Sequence, residues 1–406
     1  MKFEFETICK LPTTELRETQ NKLGTYIAHL NNVSATNNFA SQESSINLPF
    51  DETSIAEIMA VKTQMVTEKL KYIVVIGIGG ANLGSKAIYD AVYGHYDILQ
   101  IKNQPKMLFM DTINPLFRSN LLNLIESKII SPDEILFIGL SKSGTTLETR
   151  DNLEFLESKI KFFSSRLIIA TEENTPFWKK YTEQKVKCLK IYSSVGDRYS
   201  VFSVNGLLPL ACAGYNVVEI LEGAMEVRKN CLLTTDKNIA TLAAAIAYNN
   251  YKNGKTNHIT FIFHPELESL GKWHNQLVAE SLGKDGKGIL PVNSIGTVDL
   301  HSMAQLYLSG PQDKYTEFVY SQELNKNKNL KAILEGVKVA YTKRNIPFTE
   351  FILDDLSPKS IAQYMQTKMI EIMCLGNLLD VNAFDQPNVE EYKVETNKLL
   401  LPHKND

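Results

Sequence analysis

Short apolar runs that alternate with helical stretches constrain this chain more than any other feature. Four come early: YIVVIGIG (72–79), MLFMDT (107–112), EILFIGL (134–140) and RLIIAT (166–171). Two helical segments near 203–253 interrupt the rhythm. HITFIF (258–263), GILPV (288–292), TEFVY (316–320) and PFTEFIL (347–353) then resume it. Strands that are apolar at consecutive positions need cover on both faces, and parallel strands joined by helices provide it. The intervening segments have helical spacing: in LETRDNLEFLESKI, Leu153, Leu156 and Ile160 share one face. The expected fold is α/β, with two doubly wound, mainly parallel sheets, each in a three-layer α/β/α arrangement.

The remaining segments frame these two units. Residues 1–70 are expected to be helical, with one helix over about 14–30, the polar loop NNVSATNNFASQESSIN, and a second helix capped by Asp51 that runs to Leu70. The first α/β domain takes residues 71–214 and the second 215–380, with a long helix from about Ser357. Residues 381–406 complete a C-terminal helical tail that turns irregular from Asn382. Net charge is −3, which argues against nucleic acid or an anionic membrane as partner. No run is long enough to span a membrane. Cys9, Cys188, Cys212, Cys231 and Cys374 are scattered, so neither a disulfide framework nor a zinc site is expected. A cytosolic globular protein fits these features.

The stretch EILFIGLSKSGTTLET (134–149) carries the strongest chemical signal. An apolar strand ends in a loop with four hydroxyls (Ser141, Ser143, Thr145, Thr146), the cation of Lys142 and a flexible Gly144. The loop opens a helix, where free backbone N–H groups and the dipole favour an anion. Thr145 stands where a nucleotide P-loop needs lysine, so a small phosphorylated metabolite is expected rather than ATP. Four hydroxyls and a lysine exceed what helix capping alone requires. The earlier cluster GIGGANLG (77–84) also follows a strand, but Asn82 occupies the third glycine position of a dinucleotide fingerprint. With Asp111 ending the next strand, a dehydrogenase is the weaker reading and a sugar-phosphate cradle the stronger.

Glu280 is the candidate base. It lies at the edge of the stripe Leu270, Trp273, Leu277, in the last turn of a helix that Gly283 should end. Partial burial and the helix dipole would both disfavour its carboxylate. The competing role is a solvated residue or a partner for Lys284. His301, in GTVDLHSMAQL, is expected at the opening of a helix capped by Asp299, where a neutral imidazole could give or take a proton; a lone histidine is more often structural. Arg198 sits between a glycine and a helix start, where it could face an oxyanion. Lys393 would pass for a solvated residue on composition.

Taken in order, GIGGANLG, SKSGTTLET, GDRYSVFSVNGLLPLACAG, KWHNQLVAESLGK, DLHSMAQ and AFDQPNVEEYK resemble the motifs of glucose-6-phosphate isomerases, which are built from two sugar-isomerase (SIS) domains. The likeness covers roughly residues 70–395. It implies interconversion of glucose 6-phosphate and fructose 6-phosphate through a cis-enediol, without metal or organic cofactor. On this resemblance Glu280 matches the base and Arg198 the stabiliser of the enediolate. His301 and Lys393 match the ring-opening residues, the histidine reaching across from a second subunit, so a homodimer is implied. Ser141, Lys142, Ser143 and Thr146 match the phosphate loop; Gly79, Gly80, Glu148, Gln276 and Gln386 match the sugar-lining residues.

The chain departs from the family pattern in four places. Ala81 stands where a serine usually donates to the phosphate, a bond to a charged group worth about 1.5–3 kcal/mol. Asp197 replaces a glycine, and Asn205 and Leu282 also differ from the common residues. Two further functions compete: a related isomerase for mannose 6-phosphate or an amino sugar phosphate, and a sugar-phosphate sensor that has lost catalysis. Retention of the base, the arginine and the histidine argues against the sensor.

Overall fold

The structure, a computed structural model, describes residues 1–100 and 105–400 and contains two five-stranded sheets. The first holds β2 (Tyr72–Ile76), β3 (Lys106–Met110), β4 (Ile135–Leu140), β5 (Leu167–Thr171) and β6 (Lys187–Lys190). They lie in the order β3-β2-β4-β5-β6, every pair parallel. The second holds β7 (Asn257–Ile262), β8 (Leu290–Ile295), β9 (Lys314–Ser321) and β10 (Phe348–Leu353), parallel in the order β8-β7-β9-β10. The strand β1 (Lys2–Glu4) is added antiparallel at the β10 edge. Both sheets thus repeat one order, with the first strand of the set inside and the second flanking it. Only the fifth place differs, taken by β6 in one sheet and β1 in the other.

Helices α1 (Thr13–Lys22), α2 (Gly24–Thr36) and α3 (Glu52–Met65) precede the first sheet. Within that sheet α4 (Gly80–Tyr93), α5 (Pro115–Lys128), α6 (Leu147–Lys159) and α7 (Pro176–Glu183) join successive strands. Next come α8 (Val204–Cys212), α9 (Val217–Cys231) and α10 (Ile239–Lys252). The second sheet is served by α11 (Glu268–Leu282), α12 (Ala304–Ser309) and α13 (Lys328–Lys343), and α14 (Pro358–Leu379) and α15 (Val389–Leu400) close the chain.

Side-chain alternation explains why β2, β4 and β5 are apolar on both faces. Ile73, Val75, Leu136, Ile138 and Ile168 face one core, whereas Val74, Ile76, Ile135, Phe137, Leu167 and Ile169 face another on the opposite side. The first of these cores continues into the second sheet through Val319, Phe351 and Leu353, and takes in most of α14. Both sheets therefore share one hydrophobic interior, in which each fully buried aliphatic side chain contributes about 1.5–3 kcal/mol. Inside it Lys368 Nζ lies 2.7 Å from both Glu317 Oε2 and Glu371 Oε2, all three side chains being fully buried.

Several expectations need correction. The helix expected over 14–30 is broken at Leu23, and α2 reaches Thr36. The expected polar loop is largely α2 followed by a 3-10 segment, Gln42–Phe50, in which Ser44, Ser45 and Asn47 are buried. Asn47 Nδ2 satisfies the carbonyls of Val33 and Asn38, which is how a polar sequence packs inside. β1 takes the N-terminal segment out of a purely helical description. The tail is irregular only as far as Asn388, since α15 follows.

Candidate active site

The two glycine-bearing loops meet because their strands are neighbours. β2 and β4 pair directly, with Ile76 opposite Gly139, and their connections leave from the carboxyl ends of adjacent strands. The order β3-β2-β4 places this point where strand progression reverses, and open α/β sheets bind ligands in such a crevice. At the first loop Gly79 has φ +59°, and a Cβ there would lie 3.0 Å from Gln276 Nε2. A Cβ on Gly80 would come within 2.4 Å of Arg198 N. The close approach that a dinucleotide would need at Gly80 is thus taken by the chain's own backbone at 197–198.

The second loop is held in shape by its own hydroxyls. Ser141 is buried; its Oγ accepts from Gly144 N at 3.1 Å and donates to Thr146 Oγ1 at 3.4 Å. The Lys142 carbonyl receives Thr171 Oγ1 at 3.0 Å and Glu172 N at 2.9 Å, which fixes the backbone and leaves the lysine side chain outside that bonding. Among the described residues its ammonium has no hydrogen bond or ion pair. Ser143 and Thr145 share a bond of 2.6 Å. Thr146 precedes α6 in extended conformation, but its side chain does not cap the helix. Capping therefore does not account for this hydroxyl. Thr149, on the first turn of α6, buries an Oγ1 that has no partner.

Helix α11 supplies the acid. Burial of Leu270, Trp273 and Leu277 fixes its rotation, and places Gln276 and Glu280 one turn apart on the same edge. Gln276 Nε2 donates to Glu280 Oε2 at 2.8 Å, and Arg198 Nη1 lies 3.1 Å from Glu280 Oε1. The Glu280 side chain is 20% exposed, and Gly283 follows the helix as its C-cap. The expectation built on burial and dipole alone omitted the cation beside this carboxylate. Gln276 Oε1 is buried and has no partner among the described residues, which leaves it able to accept from a ligand hydroxyl.

Arg198 is almost wholly buried and is hydrogen-bonded through all three of its nitrogens. Its Nε donates to Ser281 Oγ at 3.0 Å and its Nη1 to Gln386 Oε1 at 2.8 Å, and Nη1 also faces the Glu280 carboxylate as an ion pair. Its Nη2 reaches the carbonyls of Ala383 (2.8 Å) and Asp385 (3.0 Å). Ser281 in turn lies 3.0 Å from Tyr199 Oη. Lys284 is not Glu280's partner: its Nζ meets Ser281 O at 3.0 Å, Asn382 O, and Asp385 Oδ1 at 3.1 Å. Burial pulls the Lys284 ammonium down, against the upward pull of Asp385.

The structure thus assembles Gly79, Gly80, Arg198, Gln276, Glu280 and Gln386 by direct contact. Lys142 and Lys393 join them electrostatically, since both charges act on Asp197, the neighbour of Arg198. Lys393 lies on α15 and pairs with Glu390 at 2.6 Å. Glu148 is half-buried on the first turn of α6. His301 does not join the group within this chain. It is exposed after a 3-10 turn, Val298–Leu300, and α12 starts only at Ala304. Asp299 caps no helix there; its carboxylate receives Ile295 N and Ser302 Oγ, each at 2.7 Å. Ser281, Tyr199, Lys284 and Thr149 were missed from sequence. Adjacency to Glu280 or Arg198 was the only signal that three of them carried.

Comparison with known proteins bears on this geometry. The family profile described as phosphoglucose isomerase matches residues 55–299. A glucose-6-phosphate isomerase of Carboxydothermus hydrogenoformans is 33% identical over 395 residues, covering 87% of this chain and 84% of that protein. One from Methanocaldococcus jannaschii is 31% identical over 344 residues, with 79% and 82% covered. The crystal structure of a glucose-6-phosphate isomerase from Chlamydia trachomatis superposes with a TM-score of 0.83 at 20% identity, covering 98% of this chain and 88% of that one, a likeness of fold.

Proposed function

The chain belongs to the phosphoglucose isomerase family, and from that premise we propose that it interconverts glucose 6-phosphate and fructose 6-phosphate. One observation carries the reading: the Glu280 carboxylate is pinned between Arg198 and Gln276, against the glycine loop that borders the SKSGTT loop.

The steps follow from what each group can do. Lys142, the hydroxyls of Ser141, Ser143 and Thr146, and the opening of α6 anchor the phosphate. With that end fixed, Gly79, Gly80, Glu148, Gln276 and Gln386 line the sugar. Glu280 takes the proton from one carbon and returns it to the next, through a cis-enediol. The Arg198 guanidinium, held by Ser281, Gln386 and the carbonyls of Ala383 and Asp385, keeps a fixed charge beside Glu280 that stabilises the enediolate. Lys393 and a second subunit's copy of His301 would open the ring. Exposure of His301, whose imidazole has no polar partner among the described residues, supports a homodimer with shared sites. The reaction shifts protons with no net gain or loss of electrons, so it requires no redox cofactor. Five unpaired cysteines support a cytosolic setting.

The deciding experiment is a coupled assay for glucose 6-phosphate formed from fructose 6-phosphate, run with chelator present. Turnover is expected; none would overturn the reading.

A further inference from the structure

Asp197 packs against the first loop at Gly80, its carboxyl interacts with the charge of Lys142 in the second, and its hydrogen bonds divide its oxygens. Ser200 Oγ donates to the Asp197 carbonyl at 2.7 Å, so this hydroxyl accepts from Asn205 Nδ2 at 3.4 Å. That contact orients the Asn205 amide, and the same Nδ2 reaches Asp197 Oδ1 at 3.5 Å. Oδ2 has no hydrogen-bond partner among the described residues. The Asp197 backbone packs against Gly80, where a Cβ would lie 2.4 Å from its carbonyl carbon. The Gly80 against which it packs is followed directly by residue 81, where the chain has alanine and so no hydroxyl to offer a phosphate.

We propose that Asp197 binds the substrate's phosphate as a neutral carboxylic acid, its Oδ2–H donating to a phosphate oxygen in place of the hydroxyl that Ala81 lacks. The inference rests on the phosphate-loop reading above. Binding of a phosphate dianion then takes one proton from solvent onto Oδ2, and no other bond changes. The charges acting on Asp197 are Lys142 in the loop, Glu280 on α11, Arg198 beside it and Lys393 on α15. Burial and Glu280 hold the carboxyl above its ordinary range, although the three cations oppose them. A bound phosphate engages Lys142 and adds negative charge, and both changes favour the acid form.

The probe is glucitol 6-phosphate, a polyol phosphate with no carbonyl and therefore inert to isomerisation. It is titrated calorimetrically at pH 8, where its phosphate is already a dianion, in two buffers of different ionisation heat. The wild type is expected to take up close to one proton per ligand, and its affinity to fall up to tenfold per pH unit. Asp197→Asn should take up none, bind at least as tightly at pH 8, and lose the pH slope. Asp197→Gly should also take up none but bind more weakly than Asp197→Asn. Binding by wild type without proton uptake, or equal affinity of the Asn and Gly variants, overturns the proposal. Lys142→Ala separates the two claims: unweakened binding there defeats the phosphate-loop reading itself, and the proposal with it.

Discussion

Glu280 shows how much one side chain's surroundings decide. Its place at the edge of an apolar stripe was legible in the helical spacing of Leu270, Trp273 and Leu277. Its clamp was not, because Arg198 is distant in sequence and is itself held by carbonyls of Ala383 and Asp385. Backbone acceptors leave no trace in residue type. Glu280→Gln removes the proton carrier while retaining the shape and a partner for Gln276. Turnover is expected to fall by roughly 10²–10⁴-fold, with glucitol 6-phosphate binding nearly unchanged. Turnover equal to wild type would remove Glu280 as the base. Asp299 carries the opposite lesson: its type suggested a helix cap, yet its carboxylate serves the strand end at Ile295.

Among elements, the buried strands were readable and the edges were not. β4 is buried along its whole length, which forces a continuous apolar run, whereas the equally buried β9 admits Lys314 and Glu317 because each has an ion-pair partner. β6 is an edge strand with exposed Lys187 and Lys190, and such charges blunt an edge while hiding it in the sequence. α15 buries nothing and so carries no stripe to recognise. The phosphate loop depends on Gly144, whose φ is +69° and where a Cβ would fall 2.2 Å from Phe177 Cβ. Gly144→Ala should destabilise the fold by about 1–3 kcal/mol through overpacking, read as a lower urea midpoint, and weaken phosphate binding. Helix α14 carries a second prediction. Burial raises the Glu371 carboxyl to about 7, against Lys368. The folded state then holds a proton that the unfolded state releases from about pH 4.5 upward. This contribution to stability is full at low pH and is lost as pH rises through about 7. Glu371→Gln should flatten that decline, and identical slopes of Tm against pH in both proteins would refute the assignment.

For the whole molecule, two doubly wound halves of shared architecture were legible without any residue-level repeat, but the strand order common to both sheets was not. The shared interior was not, because contacts between the sheets through α14 follow no local period. The proposed homodimer with shared sites carries its own test. The Glu280→Gln and His301→Ala proteins, each alone, are expected to be inactive. Mixing them under exchange should restore activity, because one site of each mixed dimer pairs an intact Glu280 with an intact histidine from the other subunit. No recovery would mean that each chain works alone. The edge strand β1 bears on synthesis. Lys2 pairs with Ile352, so an early segment of the nascent polypeptide must stay unpaired until its partner leaves the ribosome. Until that moment residues 2–4 have no sheet to join, and the outer edge of β10 gains its cover from a segment made long before it.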